Sequence, residues 1–397
     1  MTTLSPSQRG RSRDLSRSTF SGRLLVAAGV ALTLAAALWG GLFVNRAAEG
    51  SQAGRHAAVA DDPRADPSPV VAGKVLPPAG DAVYWGSFEP KAPRDLRHVL
   101  ALEHRVGRPP AILMWFQKWY GQRDFPVEGA RWLFRHGMIP MMTWEPWRPS
   151  HAVTRIDQPA YRLANIASGA FDGYIRKIAE QIREYGGPLI LRPMHEMDGD
   201  WYPWGGTVNG NTPEDFVAAW RHMHKVFDHV GATNVTWVWS VNHNSVPATA
   251  KNFPHNYWPG GRYVDWVGIS GFNRGAGDPY VHWRSFRDVM DHRYELLLAY
   301  GKPIAVTETS SVEIGGDKAA WIKQAFSSLF QDLPAIKMVV WFDHEDWLRQ
   351  DWQIDSSPAS LQAFRQEIGD PRVISGGGVT LSNRSLSETR RDGRLSG

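Results

Sequence analysis

The chain has 397 residues, a formal net charge of +4 and no cysteine, which excludes disulfides and thiolate chemistry and allows one large domain or two ordinary ones. The positive excess sits at the two ends, in Arg9, Arg11, Arg13, Arg17 and Arg23 against Asp14, and in five Arg against Glu388 and Asp392 after residue 370. The span between is mildly acidic, which argues against a nucleic-acid-binding surface.

Residues 1–23 form a basic head. Residues 24–44, LLVAAGVALTLAAALWGGLFV, are uncharged and mostly apolar, about 30 Å of helix at 1.5 Å per residue and enough to cross a bilayer. The arginines before them are expected to stay cytoplasmic, which places the rest of the chain outside the cytoplasm on a single-pass anchor; a cleaved signal peptide is the alternative. Residues 45–79, rich in Ala, Asp and Pro, read as a disordered linker, and residues 371–397, rich in Gly, Ser and Arg, as a disordered tail.

Between them, in residues 80–370, eight short apolar runs are mostly followed by helical stretches. They are AVYWGSF (82–88), AILMWFQ (111–117), MIPMMTW (138–144), LILRPMHE (189–196), TWVWSVN (236–242), WVGISGFN (266–273), PIAVTETS (303–310) and MVVWFDHE (338–345). Continuous apolar strands alternating with helices imply a parallel sheet covered on its faces, and eight such units over this length predict a single α/β domain, a (β/α)8 TIM barrel. An open doubly wound sheet is the alternative, but no Gly-rich phosphate fingerprint follows the first strand. The runs begin apolar and end in polar residues, among them Glu145, Glu196, Asn242, Asn273, Glu308 and Glu345. Barrel enzymes place their chemistry at that end of the strands.

Two of these residues suit one reaction. Cleavage of a glycosidic bond needs a carboxylic acid to protonate the leaving oxygen and a carboxylate to attack or to activate water. Glu196 ends the fourth run and Glu308 the seventh, on opposite sides of a barrel mouth. The segment HEMDGDWYPWGG, with His195, Glu196, Trp201 and Trp204, resembles the acid/base motif of glycoside hydrolase family 26, and the resemblance extends over the barrel through TWEPW (143–147), WSVNHN (239–244) and the strand of Glu308. It implies a retaining double displacement with Glu196 as acid/base and Glu308 as nucleophile, His195 binding the sugar or orienting the acid, and Trp201 and Trp341 stacking on sugars. The two carboxyls of a retaining pair stand about 5 Å apart. The resemblance also implies an endo-acting enzyme on a β-linked polysaccharide, β-1,4-mannan or glucomannan first, β-1,3-1,4-glucan second and β-1,3-xylan third, and tethering at a membrane suggests a glycanase that trims an exported polysaccharide as the alternative.

One position departs from the family pattern. A Tyr that hydrogen-bonds the nucleophile is usual at the end of the sixth strand, and Phe272 stands there; Arg192 or Tyr280 is expected to supply the missing donor. The lost hydroxyl also motivates a reading from another class, a catalytically weak carbohydrate-binding or exopolysaccharide-assembly protein. Cleft-lining roles are expected for Trp115, Trp119, Trp144, Trp147, Trp201, Trp204 and Trp341, and packing roles for Trp132, Trp220 and Trp321. Asn242 and Asn244 are candidates for holding sugar hydroxyls or for capping. Glu145, Asp198, Asp200, Asp343 and Glu345 are rival carboxylates; HEMDGD has neither a HExxH nor a calcium-loop spacing, so neither metal nor cofactor is expected. The expected partners are a polysaccharide and, through the N-terminal helix, the membrane, with the protein a monomer.

Overall fold

The computed structural model describes residues 73–149, 156–275, 282–345 and 350–382. Eight parallel strands close on themselves: β1 (Val83–Phe88), β2 (Ile112–Lys118), β3 (Ile139–Glu145), β4 (Leu189–Pro193), β5 (Val235–Asn242), β6 (Trp266–Ser270), β7 (Ile304–Thr309) and β8 (Ile336–Phe342), with β8 pairing β1 and β1 pairing β2. The helices between them are α1 (Arg97–Val106), α2 (Val127–Arg135), α3 (Leu163–Ala167), α4 (Asp172–Tyr185), α5 (Pro213–Val230), α6 (Phe286–Leu298), α7 (Lys318–Gln331) and α8 (Pro358–Ile368). Each expected run is a strand, and the barrel is the expected fold. Among the described residues no helix is long and apolar enough to cross a membrane, and the anchor expected at residues 24–44 lies outside them.

Local chemistry sets the helix ends. Thr212 and Asp215 form a reciprocal capping box at the start of α5, Ser285 and Asp288 another at α6, and Gly231 ends α5 in the left-handed conformation that lacks a penalty only for glycine. Alternation along the strands then builds two layers. Ile112, Met114, Ile139, Met141, Ile190, Val238, Ala305, Met338 and Val340 fill the barrel interior. Met142, Leu191, Trp237, Trp239, Val306 and Val339 face the helices.

The alternation breaks once where it matters. Val267 pairs Ile304, Gly268 pairs Ala305 and Ile269 pairs Val306, but Ser270 then pairs Glu308 and skips Thr307. This bulge lets two consecutive residues of β7 face inward: Thr307 Oγ1 bonds Ser240 Oγ at 2.7 Å and Glu308 bonds Arg192.

The expected boundaries of the linker and the tail need correction. Residues 73–79 and 371–382 belong to the fold and cover the amino ends of the strands. A ninth strand, β9 (Val373–Ile374), pairs β1, and Val75 bridges Leu381 antiparallel. Val75 N–H donates to Thr236 Oγ1 at 2.8 Å, its carbonyl accepts from Trp266 Nε1 at 2.9 Å, and Ser382 N–H donates to the Lys74 carbonyl at 2.8 Å. Val75, Ile374, Val379 and Leu381 pack under the barrel interior, because its lower layer is apolar and would otherwise face water.

Candidate active site

β4 delivers the first functional side chains. Arg192 faces the barrel interior and has no exposure to solvent. Its Nη1 donates to Glu308 Oε1 and, at 3.3 Å, to Thr143 Oγ1, while Nη2 donates to Ser270 Oγ at 2.6 Å. A buried guanidinium is tolerated there because it is paired and bonded. Of the two donors expected to replace a strand-six tyrosine, Arg192 is the one that reaches Glu308; Tyr280 lies outside the described residues. Phe272 turns instead toward Phe342 and Trp352, with ring centroids at 5.7 and 5.1 Å.

After Pro193 the backbone leaves the strand. Met194 and Glu196 both take positive φ, 49° and 52°, a conformation that costs a non-glycine residue of order 1 kcal/mol or more and is held by the surroundings. The hold is visible: Met194 N–H donates to the Trp144 carbonyl at 3.1 Å and Glu196 N–H to the Ser240 carbonyl at 2.9 Å, so the segment is pinned to both neighbouring strands. Trp201 Nε1 donates to Glu196 Oε2 at 2.9 Å. A Cβ on Gly199 would lie 2.4 Å from the Trp201 ring, so glycine is needed to let the indole reach that carboxyl. Trp201 is thus the holder of Glu196 and is buried; it is not the open stacking platform expected of it.

Glu196 and Glu308 form one electrostatic unit. Burial raises the pKa of both above the ordinary carboxylate range, the Arg192 charge opposes this at both, and the charge of Glu196 adds to the rise at Glu308. Arg192 bonds Glu308 directly, so Glu308 is the better place for the negative charge and Glu196 for the proton. Trp201 bonds Oε2 of Glu196, and the Ser270 hydroxyl also acts on this carboxyl.

His195 is buried, and burial followed by the Arg192 charge pushes its pKa well below the usual imidazole range, so the ring is neutral. Its Nε2 lies 3.1 Å from the Tyr202 hydroxyl, and its Nδ1 has no hydrogen-bond partner among the described residues. Trp204 stacks on Tyr202 at 4.3 Å and donates to the His195 carbonyl at 2.7 Å, supporting the loop from behind. Glu145, from β3, is fully buried, with its pKa raised to about 7 by burial against the opposing charge of Lys118; its Oε2 accepts from Trp147 Nε1 at 3.3 Å. Tyr202, Lys118, Ser270 and Thr143 went unnoticed in the sequence. Lys118 had a signal there, since it sits an even number of positions from the interior residues Ile112 and Met114.

Several expected site residues lie elsewhere. Trp115, Trp119, Trp144 and Trp341 are buried in the layer between sheet and helices, not in the mouth. Trp144 packs on Trp119 at 4.6 Å and on Tyr174, Trp115 on Phe125 at 6.2 Å, and Trp341 on Phe364 at 5.0 Å and on Trp321 and Phe326. Trp115, Trp144 and Trp341 alternate with inward residues of their strands and therefore face outward, and Trp119 directly follows the inward Lys118 at the end of β2. Trp147 does stand near the mouth, edge-on to Tyr202 at 5.8 Å, while Trp220 and Trp321 are buried on α5 and α7. Asn242 caps: its Nδ2 donates to the Asn244 carbonyl at 2.7 Å. Asp198 is a buried anchor, paired with Arg293 at 3.2 Å and accepting from Asn242 N–H and Ser245 Oγ, both at 2.9 Å. Asp343 points outward to Arg105.

Comparisons with known proteins agree with this geometry. The family model described as Glycosyl hydrolase family 26 matches residues 136–312, a stretch that holds both Glu196 and Glu308. The chain is 38% identical over 274 residues to Endoglucanase H of Acetivibrio thermocellus, covering 68% of this chain and 29% of that protein. It is 25% identical over 200 residues to a mannan endo-1,4-beta-mannosidase of Bacillus subtilis, covering 46% and 50%. The matches thus span half or less of these curated relatives. In fold it is similar to the catalytic domain of the endo-beta-1,4-mannanase of Bacillus sp. JAMB-750, with a TM-score of 0.58 and 18% identity over 74% of this chain and 87% of that one. With a closed barrel, two carboxyls at the tips of its fourth and seventh strands and these matches, the chain belongs to glycosyl hydrolase family 26.

Proposed function

We propose that this chain is a retaining endo-β-glycanase, with Glu308 as nucleophile and Glu196 as acid/base. The observation that carries the reading is the single buried arginine that the two glutamates share, bonded to one and acting on the charge of both. In the first step Glu308 attacks the anomeric carbon while Glu196 gives its proton to the departing glycosidic oxygen. The ester at Glu308 is neutral, so the Arg192 charge then favours the Glu196 carboxylate, which takes a proton from the incoming water. The water oxygen attacks the anomeric carbon, and Glu308 leaves as a carboxylate.

β-1,4-Mannan or glucomannan is the favoured substrate, supported by the matches to mannanases. Mixed-linkage β-1,3-1,4-glucan is the second reading, favoured by the 38% identity to an endoglucanase. Incubation with mannan, glucomannan, lichenan, cellulose and xylan, followed by reducing-end and product analysis, tests the activity and ranks the substrates. Binding without new reducing ends from any of them would replace the hydrolase with a carbohydrate-binding protein. As to location, the apolar run 24–44 behind five arginines supports a single-pass anchor with the barrel outside the cytoplasm, which carbonate extraction and protease accessibility of membranes test.

A further inference from the structure

Tyr120 is the one Phe, Tyr or Trp among the described residues that stands exposed, at 46%. It follows β2 at the carboxyl end of the barrel, where its N–H donates to the Trp147 carbonyl at 3.2 Å. Trp147 in turn lies against Tyr202, which bonds His195 beside Glu196. The exposed ring therefore sits one wall outward from the catalytic pair. The guanidinium of Arg148 lies 4.7 Å from the centre of the Tyr120 ring. Arg148 is itself exposed and has no carboxylate partner among the described residues, so its donors are free for a ligand. Tyr161 stands beside them: after burial, the largest influences on its hydroxyl are the Arg148 charge and Tyr120.

The perch is built and not a casual surface arrangement. Gln158 clamps Arg148 at both backbone groups, with Arg148 N–H donating to Gln158 Oε1 at 2.9 Å and Gln158 Nε2 donating to the Arg148 carbonyl at 3.0 Å. Asn209 clamps Gln158 in the same way, at 2.9 and 3.1 Å, and also bonds the Pro203 carbonyl at 3.1 Å. Pro203 belongs to the loop that carries Glu196, Trp201 and Trp204. Rigid hydrogen bonding thus fixes Arg148 and Tyr120 relative to the acid/base loop, which is what a binding subsite requires.

We infer that Tyr120 and Arg148 form an outer sugar subsite, in which a hexose unit of the polysaccharide, remote from the bond being cleaved, stacks on the Tyr120 ring while Arg148 donates to its hydroxyls. The inference rests on the proposed reading of the mouth as a polysaccharide cleft. A flat apolar ring with neighbouring donors fits the C–H face and the rim hydroxyls of a pyranose, and a chain leaving the cleft past Trp147 and Tyr202 reaches it without bending back.

The test uses the full chain and the variants Tyr120→Ala and Arg148→Ala. On the polysaccharide that it hydrolyses, each variant should raise KM about fivefold to tenfold, the scale of one lost aromatic contact. On a short activated aryl β-glycoside, which does not extend to the rim, kcat/KM should change less than about twofold. An unchanged polymer KM, or equal losses on both substrates, would overturn the subsite. If the unsubstituted protein hydrolyses nothing, the hydrolase reading fails by itself, and affinity electrophoresis in gels containing each polysaccharide still decides. Retardation of the unsubstituted protein that Tyr120→Ala abolishes upholds the subsite; equal retardation of both, or of neither, refutes it.

Discussion

Arg192→Met removes the guanidinium that joins the two proposed catalytic glutamates and leaves a side chain of similar reach in the barrel core. The charge it removes bonds Glu308 Oε1 directly and Ser270 Oγ at 2.6 Å, out of contact with solvent. Opposite unit charges about 4 Å apart attract by about 4 kcal/mol at an effective dielectric of about 20, which at 1.36 kcal/mol per pKa unit caps the shift at about three units. Entry of water and relaxation reduce this, so a rise of about one to two units is expected at Glu308. A cation beside a carboxyl favours its ionised form, and attack needs that form. The acidic limb of kcat/KM against pH, followed by reducing ends, therefore moves to higher pH in the variant.

Stability carries the same sign. Burial already places the folded-state pKa of Glu308 above its unfolded value, and loss of Arg192 raises it further. Below the unfolded value Glu308 is protonated in both states and the missing cation costs least; as pH rises the folded state must keep a proton or bury an unpaired charge. With the pKa of Glu308 raised to about 7 in the unsubstituted protein, both folded proteins hold the proton below that pH, so the deficit in Tm should be constant in acid and grow only above about pH 7, where the unsubstituted protein alone ionises Glu308. An acidic limb that stays in place or moves down, or a deficit that deepens on acidification, refutes the assignment of Arg192 as the counter-charge of Glu308.

Glu308→Ala should lose polysaccharide hydrolysis by about four orders of magnitude or more, and added azide should restore turnover as a glycosyl azide of inverted configuration; rescue with retention would exchange the roles of the two glutamates. Glu196→Ala should lose as much on polysaccharide but far less on an aryl glycoside with a good leaving group, where protonation is not needed; an equal loss on both would argue against its role as acid. Trp341→Ala should cost about 3 to 5 kcal/mol in denaturant unfolding and leave KM within about twofold, because the indole packs on Phe364, Phe326 and Trp321 behind the sheet. A raised KM in a protein of unchanged stability would return Trp341 to the cleft. Truncation after Asp370 strips the partly buried Ile374, Val379 and Leu381 from the bottom of the barrel and the fully buried Val373 from the layer behind it, and should cost about 5 to 7 kcal/mol at roughly 1 to 1.5 kcal/mol for each of the first three and about 2 for Val373. An unchanged Tm would show that the strap adds nothing.

The barrel was legible because apolar runs of strand length recur eight times with polar tips, and because Glu196 and Glu308 end two of them. The tryptophans were misjudged for a reason that strand geometry already contained. Trp144 precedes Glu145, and Trp341 precedes Phe342, so in a strand of period two only one residue of each pair faces the interior. Glu308 escapes the same rule only through the bulge at Thr307, which leaves no mark in the sequence. The positive φ of Met194 and Glu196 is equally invisible, since neither residue type signals it. Arg192 was legible as a candidate, but its choice of Glu308 as partner depends on strands that meet only in the closed sheet. The strap of residues 371–382 was lost because four apolar side chains are diluted among Gly and Ser.

That strap has a consequence for orientation. Gly73 and Ser382 lie together beneath the barrel, where the Ser382 carbonyl would be 2.6 Å from a Cβ on Gly73, and the proposed catalytic pair lies at the opposite pole. Any tether joined at Gly73 therefore holds the molecule by its base. Under the proposed anchor, the tether joins the barrel at the pole opposite the mouth.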